Sequence, residues 1–225
     1  MKKVFLSFLV TIFFLSSASV WAAVELVTEK QKLSYALGAY FSQGITQQGV
    51  DMDIPAFLQA IDDVLNKAKL KLSDEELQTV LTQYQEKLVS ERDTSANNNK
   101  AAGESFLAEN KKKEGVVTLP NGMQYKVIKE GTGPKPSSDS EVKVHYHGTH
   151  INGQVFDSSY DRGEPISLSL SQVIKGWQEA LPLMSVGSKY QFYIPAELAY
   201  GERGAGTSIG PNETLIFDIE LININ

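Results

Sequence analysis

Hydrophobic residues follow two different spacings along the 225-residue chain. Before Gly115 they recur at steps of three and four, which is the spacing of one face of an α-helix. After Gly115 apolar and polar residues alternate, and turn-forming glycine and proline become frequent, as in antiparallel sheets. The change predicts a helical region followed by a region of strands.

Capping signals mark the starts of the first two helices. Thr28 with Gln31 three residues later forms a capping box. Asp53 is a suitable cap for the second helix, which we expect to end near Lys71. The apolar faces of the two helices would be formed by Leu33, Leu37, Tyr40 and Phe41, and by Phe57, Leu58, Ile61 and Leu65.

Another capping box, Ser73 with Glu76, begins a third and longer helix. Its apolar stripe runs from Leu77 to Leu88, and residues 91–100 are polar on every side, so we expect its packing partners to end there. If the helix continues to Lys113, about 40 residues at 1.5 Å each would span about 60 Å.

The helical region is too small to be stable by itself. Two short helices and half of a long one bury little apolar surface, and units below about 70 residues are marginal. We therefore predict a homodimer through residues 25–88, with a dimerisation domain at 23–72 and a connecting helix at 73–115. The alternative is that this region folds back onto the C-terminal region.

From Thr118 onwards the pattern predicts an antiparallel sheet. The alternation is clearest in residues 142–147 and 215–221. Residues 173–181 predict one short helix with an apolar face, closed by Pro182. A sheet with one helix packed across it makes this region an α+β domain.

The N-terminus has the pattern of an export signal. Lys2 and Lys3 precede an apolar run from Val4 to Leu15, and small residues lead to a cleavage point after Ala22. We therefore predict a signal peptide at residues 1–22. A retained membrane anchor is the alternative, but the run is shorter than the roughly 20 residues of a spanning helix.

Composition narrows the chemistry and the partners. Lys and Arg number 21 against 27 Asp and Glu, a net charge of −6, so neither a phosphate-binding surface nor a nucleic-acid partner is expected. The chain has no cysteine, which excludes disulfides, thiolate metal sites and a cysteine nucleophile.

Five short motifs carry a resemblance to a known family. They are Val144–Gly148, Gly153–Ser159, Val173–Trp177, Ala199–Gly201 and Leu215–Asp218. In this order and at this spacing they resemble FKBP-type peptidyl-prolyl cis/trans isomerases. The preceding helices are similar to the dimerisation module and long helix of the macrophage infectivity potentiator (Mip) group of bacterial FKBPs. The implied fold at 116–225 is an antiparallel half-barrel sheet wrapped on one short helix.

The resemblance implies a reaction without bond breaking, namely rotation about the bond that precedes proline. The uncatalysed barrier is about 18–20 kcal/mol because rotation destroys amide resonance. A dry aromatic pocket would destabilise the planar imide relative to the twisted one. Neither a nucleophile nor a cofactor is needed.

The resemblance also assigns roles to ten residues. The catalytic residues would be Phe156, Asp157 and Tyr200, with Asp157 near the rotating carbonyl and the Tyr200 hydroxyl and Ile174 N–H on substrate carbonyls. The substrate-binding residues would be Tyr146, Arg162, Val173, Ile174, Trp177, Ile209 and Phe217. The implied partners are unfolded or nascent exported polypeptides that contain proline, and macrolide inhibitors of the rapamycin and tacrolimus type.

Other interpretations stay open from the residues alone. The aromatic residues are also compatible with an ordinary core. His145, His147 and His150 are candidate metal ligands, although no acidic partner completes the set.

The sequence departs from the family pattern at three positions. Many relatives carry aromatic residues where Ile166 and Leu168 stand, and often a bulkier residue in place of Ala205, so we expect a more open pocket rim.

Together these patterns predict an exported peptidyl-prolyl isomerase that assists the folding of exported proteins. The expected location is the periplasm, with outer-membrane association or secretion left open. The alternative function is a non-catalytic proline-binding chaperone dimer.

Overall fold

A computed structural model describes residues 25–47 and 49–225. The predicted signal peptide at 1–22, and the alternative of a retained anchor, lie outside the described residues. Within the part that is described, no helix is both long enough and apolar enough to cross a membrane. The chain divides into two compact units, with the boundary between Asp51 and Met52.

In the first unit, the residues that the structure describes form one helix, α1, at Glu29–Gln47. The predicted capping box is confirmed: Thr28 Oγ1 accepts a hydrogen bond from Gln31 N at 3.2 Å, and Thr28 N donates to Gln31 Oε1 at 2.8 Å. None of the residues of α1 is buried within the chain. Its large apolar side chains at Leu33, Leu37 and Tyr40 are exposed.

The second unit begins with helix α2 at Ile54–Leu65, whose cap is also confirmed, since Asp53 Oδ1 accepts a hydrogen bond from Ala56 N at 2.8 Å. The expected end near Lys71 is wrong. The helix ends at Leu65 because Lys67 adopts a left-handed backbone conformation, with φ of 54°, which cannot continue a right-handed helix.

Helix α3 at Asp74–Asn110 has 37 residues and a length of about 55 Å. Its N-terminus has the predicted capping box, in which Ser73 N donates to Glu76 Oε2 at 2.8 Å. The helix ends at Asn110, three residues before Lys113, because the chain turns there towards the first strand.

The C-terminal half of α3 packs against the sheet domain, so the expectation that its packing partners end near Glu91 is wrong. Arg92 Nη2 donates a hydrogen bond to the carbonyl of Glu202 at 3.0 Å. Asn99 Nδ2 donates to the carbonyl of Pro211 at 2.9 Å. These polar side chains find backbone acceptors on a loop of the sheet domain, a type of contact that a hydrophobic pattern does not reveal.

Further along α3 the contact becomes tighter. Gly103 is buried where the helix backbone passes Thr214. Asn110 is fully buried, and its Nδ2 donates to Gln124 Oε1 at 3.0 Å. Gln124 in turn donates to the carbonyl of Leu107 at 2.9 Å. The last turns of α3 are therefore part of the sheet domain.

Seven strands form one antiparallel sheet in the described part of the chain. They are β1 Val116–Thr118, β2 Gln124–Lys129, β3 Glu141–His150, β4 Val155–Ser158, β5 Ile166–Ser169, β6 Lys189–Ile194 and β7 Leu215–Ile224. Their order in the sheet is β1-β2-β6-β7-β3-β4, with β5 also paired to β3.

One short helix, α4 at Lys175–Ala180, packs against this sheet. Gly176 makes the close approach possible, because a Cβ there would lie 2.5 Å from a methyl carbon of Ile194. Trp177 then enters the buried core, which includes Phe192 and Phe217. The predicted α+β class, with helices before an antiparallel sheet and one short helix, is confirmed.

We predict that Gly103→Ala destabilises the protein, although alanine is the better helix former by about 1 kcal/mol. An added Cβ would overlap Thr214 Oγ1 and lie 3.0 Å from Thr214 Cβ, so α3 must shift away from the sheet domain. Overpacking of this kind costs about 1–3 kcal/mol, measurable by urea unfolding.

The matched control is Ser105→Ala, on an exposed position of the same helix, which should leave stability unchanged or raise it slightly. Adding Thr214→Ala to Gly103→Ala should recover part of the loss. Equal stability of Gly103→Ala and the natural protein would show that α3 does not pack closely at this point.

Candidate functional site

A hollow of about 310 Å³ lies between α4, the neighbouring strands and the loop that follows β6. Its walls contain eight of the ten residues predicted from the sequence. These eight are Tyr146, Phe156, Asp157, Val173, Ile174, Trp177, Tyr200 and Phe217.

Four of the aromatic rings that line the hollow meet edge to face. The ring centroids of Trp177 lie 5.3 Å from Tyr146 and 5.4 Å from Phe217, with interplanar angles of 80° and 85°. Phe156 meets Phe217 at 5.5 Å and 84°. This geometry is favourable for aromatic quadrupoles, and it makes the walls rigid.

Gly148 on β3 explains how Phe156 reaches this position. A Cβ at Gly148 would lie 2.6 Å from the Phe156 ring and 3.1 Å from the Phe217 ring. Only glycine leaves room for both rings against the strand. The glycine of the motif Val144–Gly148 is therefore needed for packing rather than for a turn.

Trp177 is 5% exposed and lies at the base of this aromatic group. Its indole N–H is buried and has no hydrogen-bond partner among the described residues. A buried donor without a partner is unfavourable, and such groups in native proteins often belong to functional sites.

Asp157 is the charged residue of the hollow. The hydroxyl of Tyr146 donates to its carboxylate, and Arg162 Nη1 donates to Asp157 Oδ1 at 2.5 Å. Arg162 Nη2 also donates to the Tyr146 hydroxyl at 2.7 Å. Arg162 does not line the hollow itself. It holds the Tyr146–Asp157 pair in place.

These contacts decide the ionisation of Asp157. Burial raises its pKa, but the hydrogen bonds from Tyr146 and Arg162 and the charge of Arg162 outweigh that effect, so the pKa lies below the ordinary value of 3.8. Asp157 is therefore ionised at neutral pH, which suits it to positioning and electrostatics and not to general-acid catalysis.

Tyr200 comes from the loop after β6 and is 38% exposed at the edge of the hollow. Burial, and to a smaller extent the charge of Asp157, raise the pKa of its hydroxyl. Tyr200 therefore stays protonated and is available as a hydrogen-bond donor. The backbone N–H of Ile174 likewise has no acceptor among the described residues.

Ile209 is not brought to the hollow. It is 6% exposed and packs in the hydrophobic core. The reason is local: Ile209 and Ala205 pair through backbone hydrogen bonds of 2.9 and 3.1 Å, which close the loop and place Ile209 against the core.

Three lining residues were not among those assigned from the sequence. Ile166 and Leu168 line the hollow from β5, at positions where the resemblance led us to expect a more open rim. Gln172 lies in the short turn Leu170–Gln172 directly before Val173. The only indication of Gln172 in the sequence is its position next to Val173, a residue that the resemblance assigns to substrate binding.

The histidines make separate contacts. His145 Nδ1 lies 2.9 Å from Ser159 Oγ, and its ring stacks on Tyr160 at 4.4 Å. His150 Nδ1 pairs with Glu213. Among the residues that the structure covers, no three histidine, aspartate or glutamate side chains are arranged to hold a metal ion. The geometry therefore gives no support to the three-histidine metal site.

Comparison with known proteins finds two family models that match the chain. Residues 133–222 match the model described as FKBP-type peptidyl-prolyl cis-trans isomerase. Residues 30–127 match the model described as the domain amino-terminal to FKBP-type peptidyl-prolyl isomerase. The two matches together extend over both the helices and the sheet.

Individual relatives agree with these models. The chain is 45% identical over 206 residues to outer membrane protein MIP of Legionella longbeachae, covering 90% of this chain and 88% of that protein. It is 40% identical over 228 residues to peptidyl-prolyl cis-trans isomerase Mip of Coxiella burnetii, covering 100% and 99%. The crystal structure of FkpA from Escherichia coli superposes with a TM-score of 0.63 at 35% identity, covering 88% of this chain and 97% of that one.

We predict that Asp157→Asn makes stability less dependent on pH in acid. Because the native pKa is depressed below 3.8, ionised Asp157 stabilises the folded state above about pH 4, and this contribution is lost as the pH falls through the native pKa. Urea unfolding should show a difference between the two proteins at pH 7 that narrows by pH 3.

Asp161→Asn, which changes an exposed aspartate on the same loop, is the control and should give a smaller difference at every pH. A difference for Asp157→Asn that stays constant from pH 7 to pH 3 would contradict the assigned interaction.

Proposed function

Because the chain belongs to the FKBP-type peptidyl-prolyl cis/trans isomerase family and is an isomerase of X-Pro bonds, we propose that the hollow around Trp177 is its active site. The observation that carries the proposal is the combination of an aromatic, half-enclosed hollow with one ionised carboxylate at its wall. No residue of this wall is a serine, threonine, cysteine or lysine nucleophile.

Rotation about an X-Pro bond needs no such nucleophile. The barrier of about 18–20 kcal/mol comes from loss of amide resonance, which water favours by solvating the negative carbonyl oxygen. An apolar environment withdraws that solvation from the planar imide more than from the twisted one. A rate gain of about a hundred thousandfold requires about 7 kcal/mol of such differential stabilisation.

Within this mechanism the residues have separate roles. Trp177, Phe217 and Val173 enclose the prolyl ring, while Phe156 and Asp157 flank the rotating carbonyl. The Tyr200 hydroxyl and the Ile174 N–H donate hydrogen bonds to substrate carbonyls. Arg162 acts as a positioning residue, since it contacts Asp157 and Tyr146 but not the hollow.

We also propose that the protein is a homodimer through its N-terminal helices. Leu33, Leu37 and Tyr40 on α1 are 61%, 62% and 80% exposed within the chain. Apolar residues of α2 and of the first half of α3 are exposed as well. Exposed apolar helix faces of this kind mark interaction sites, and a second copy offers the same faces.

Export and folding assistance complete the proposed function. The predicted signal peptide supports export to the periplasm, and one relative carries the name outer membrane protein. Two proline-binding sites held in one dimer would raise the effective concentration of sites around one unfolded chain. Folding of exported polypeptides is the task that this arrangement fits.

We predict that Tyr200→Phe lowers kcat/KM for a short X-Pro peptide about two- to tenfold, the effect of losing one substrate hydrogen bond. Peptide isomerisation is measured by NMR exchange spectroscopy. The matched control is Tyr160→Phe, whose hydroxyl contacts Glu220 outside the hollow and whose removal should leave kcat/KM unchanged.

The same protein should bind a rapamycin-type macrolide in the hollow. A chain that begins at Ala23 has Trp177 as its single tryptophan, so its fluorescence reports occupancy directly. The assignment of this hollow as the active site would be contradicted if Trp177 fluorescence did not change at saturating macrolide and if Tyr200→Phe and Tyr160→Phe had equal effects on kcat/KM.

We predict that Leu37→Glu converts the dimer to a monomer, because a charge replaces an exposed apolar side chain at the proposed interface. Sedimentation velocity measures the change. Isomerisation of short peptides should persist, whereas the protein should accelerate less the refolding of a client whose folding is limited by proline isomerisation.

The control is Ser42→Glu, which places the same charge about 140° around α1. A monomeric natural protein would contradict the proposal.

A further inference from the structure

A second hollow, of about 580 Å³, lies beside the first one. We name it the flanking groove. Its walls include Asn99 of α3, His150 at the end of β3, Gln154 of the β3–β4 turn, and Thr207, Glu213 and Thr214 of the loop before β7. Its volume lies within the range of about 300–1,000 Å³ that is usual for ligand sites.

The two hollows share one wall. Phe156 lines both the proline pocket and the flanking groove. On one side its ring packs against Phe217, and on the other it meets His150 at a centroid distance of 5.2 Å. A chain that leaves the proline pocket therefore has the flanking groove directly across a single aromatic ring.

The groove differs from the proline pocket in its chemistry. The proline pocket is mostly aromatic and aliphatic, whereas amide and hydroxyl groups dominate the groove. The side-chain amide of Gln154 and the hydroxyls of Thr207 and Ser208 make no hydrogen bond to other described residues, so they are available to a ligand. Such groups suit a peptide backbone, which offers donors and acceptors in alternation.

The charged residues of the groove are already engaged. Glu213 Oε2 pairs with His150 Nδ1, and Glu213 Oε1 accepts a hydrogen bond from Gly210 N at 2.9 Å. Both side chains are mostly buried, at 14% and 21% exposure. Since both carboxylate oxygens have partners, the groove is a poor site for a free cation. The pair instead fixes the loop that forms one wall.

Helix α3 completes the groove. Asn99 reaches the loop through its hydrogen bond to the carbonyl of Pro211 at 2.9 Å, so the same contact that packs α3 on the sheet domain forms part of the groove wall. The groove is thus preformed by hydrogen bonds on two sides. Preformed sites lose less entropy on binding than flexible ones.

We propose that the flanking groove binds the residues of a client polypeptide next to the prolyl residue, as an extended segment with polar, uncharged side chains. An extended chain advances about 3.3–3.6 Å per residue, so two or three residues next to the proline would lie along the Phe156 ring and enter the flanking groove. The inference rests on the proposed function, since the groove acts only on a chain whose proline occupies the first hollow. It adds a preference for longer substrates over short ones.

The test compares two nested peptides with the same X-Pro centre. One is a tetrapeptide, and the other is extended on both sides by serine, asparagine, threonine and glutamine to ten residues. The measured quantity is the ratio of kcat/KM for the long peptide to kcat/KM for the short one. We expect a ratio of about three to ten for the full chain, as one additional hydrogen bond provides.

The double variant Gln154→Ala/Thr207→Ala should bring this ratio close to one, because it removes two unpaired polar groups of the groove. The matched control is Thr132→Ala/Ser138→Ala, two exposed loop residues outside the groove, which should leave the ratio unchanged. In the natural protein, the side-chain amide resonances of Gln154 should shift with the long peptide and not with the short one.

The outcomes separate the two proposals. A ratio near one in the natural protein, or a higher ratio that survives the double variant, overturns the flanking groove and leaves the active site in place. Failure to isomerise the tetrapeptide overturns the active-site assignment, and the groove proposal with it.

Discussion

The packing of Trp177 against Tyr146 and Phe217 is the interaction on which the structure depends. The same rings close the hydrophobic core below and form the walls of the hollow above. Gly176 and Gly148 make this possible, since each removes a Cβ that would separate the helix or the strand from its neighbour. An apolar site built in this way costs little extra stability, because its lining residues are held by the core that the fold needs in any case.

The polar part of the site is arranged around one charge. Arg162 lies outside the hollow and binds both Asp157 and the Tyr146 hydroxyl, so the carboxylate stays ionised while the ring of Tyr146 remains part of the wall. Electrostatic groups that are fixed before the substrate arrives need no reorganisation during the reaction. This suits a reaction whose transition state differs from its ground state mainly in charge distribution and twist.

The sequence was most informative where one local signal determines the outcome. The caps at Thr28, Asp53 and Ser73 each depend on a side chain and an amide three residues away, and each formed as predicted. The end of α2, the position of Ile209 and the contacts of Asn99 could not be predicted in the same way. Helix α2 ends because of a left-handed backbone at Lys67, and Ile209 reaches the core because its loop is closed by pairing with Ala205. Asn99 bonds to a carbonyl acceptor more than a hundred residues away in the sequence. Hydrophobic periodicity contains no information about such polar, long-range contacts.

Helix α3 is one continuous helix, but its two halves differ in local stability. Residues of α3 from Arg92 onwards are hydrogen-bonded to the sheet domain through Glu202, Pro211 and Gln124, whereas among the described residues the preceding turns make no such hydrogen bonds to that domain. Amide protons of the second half therefore exchange with solvent mainly when the whole domain opens, and those of the first half exchange through local fraying unless a partner covers them. A single helix thus belongs to two cooperative folding units.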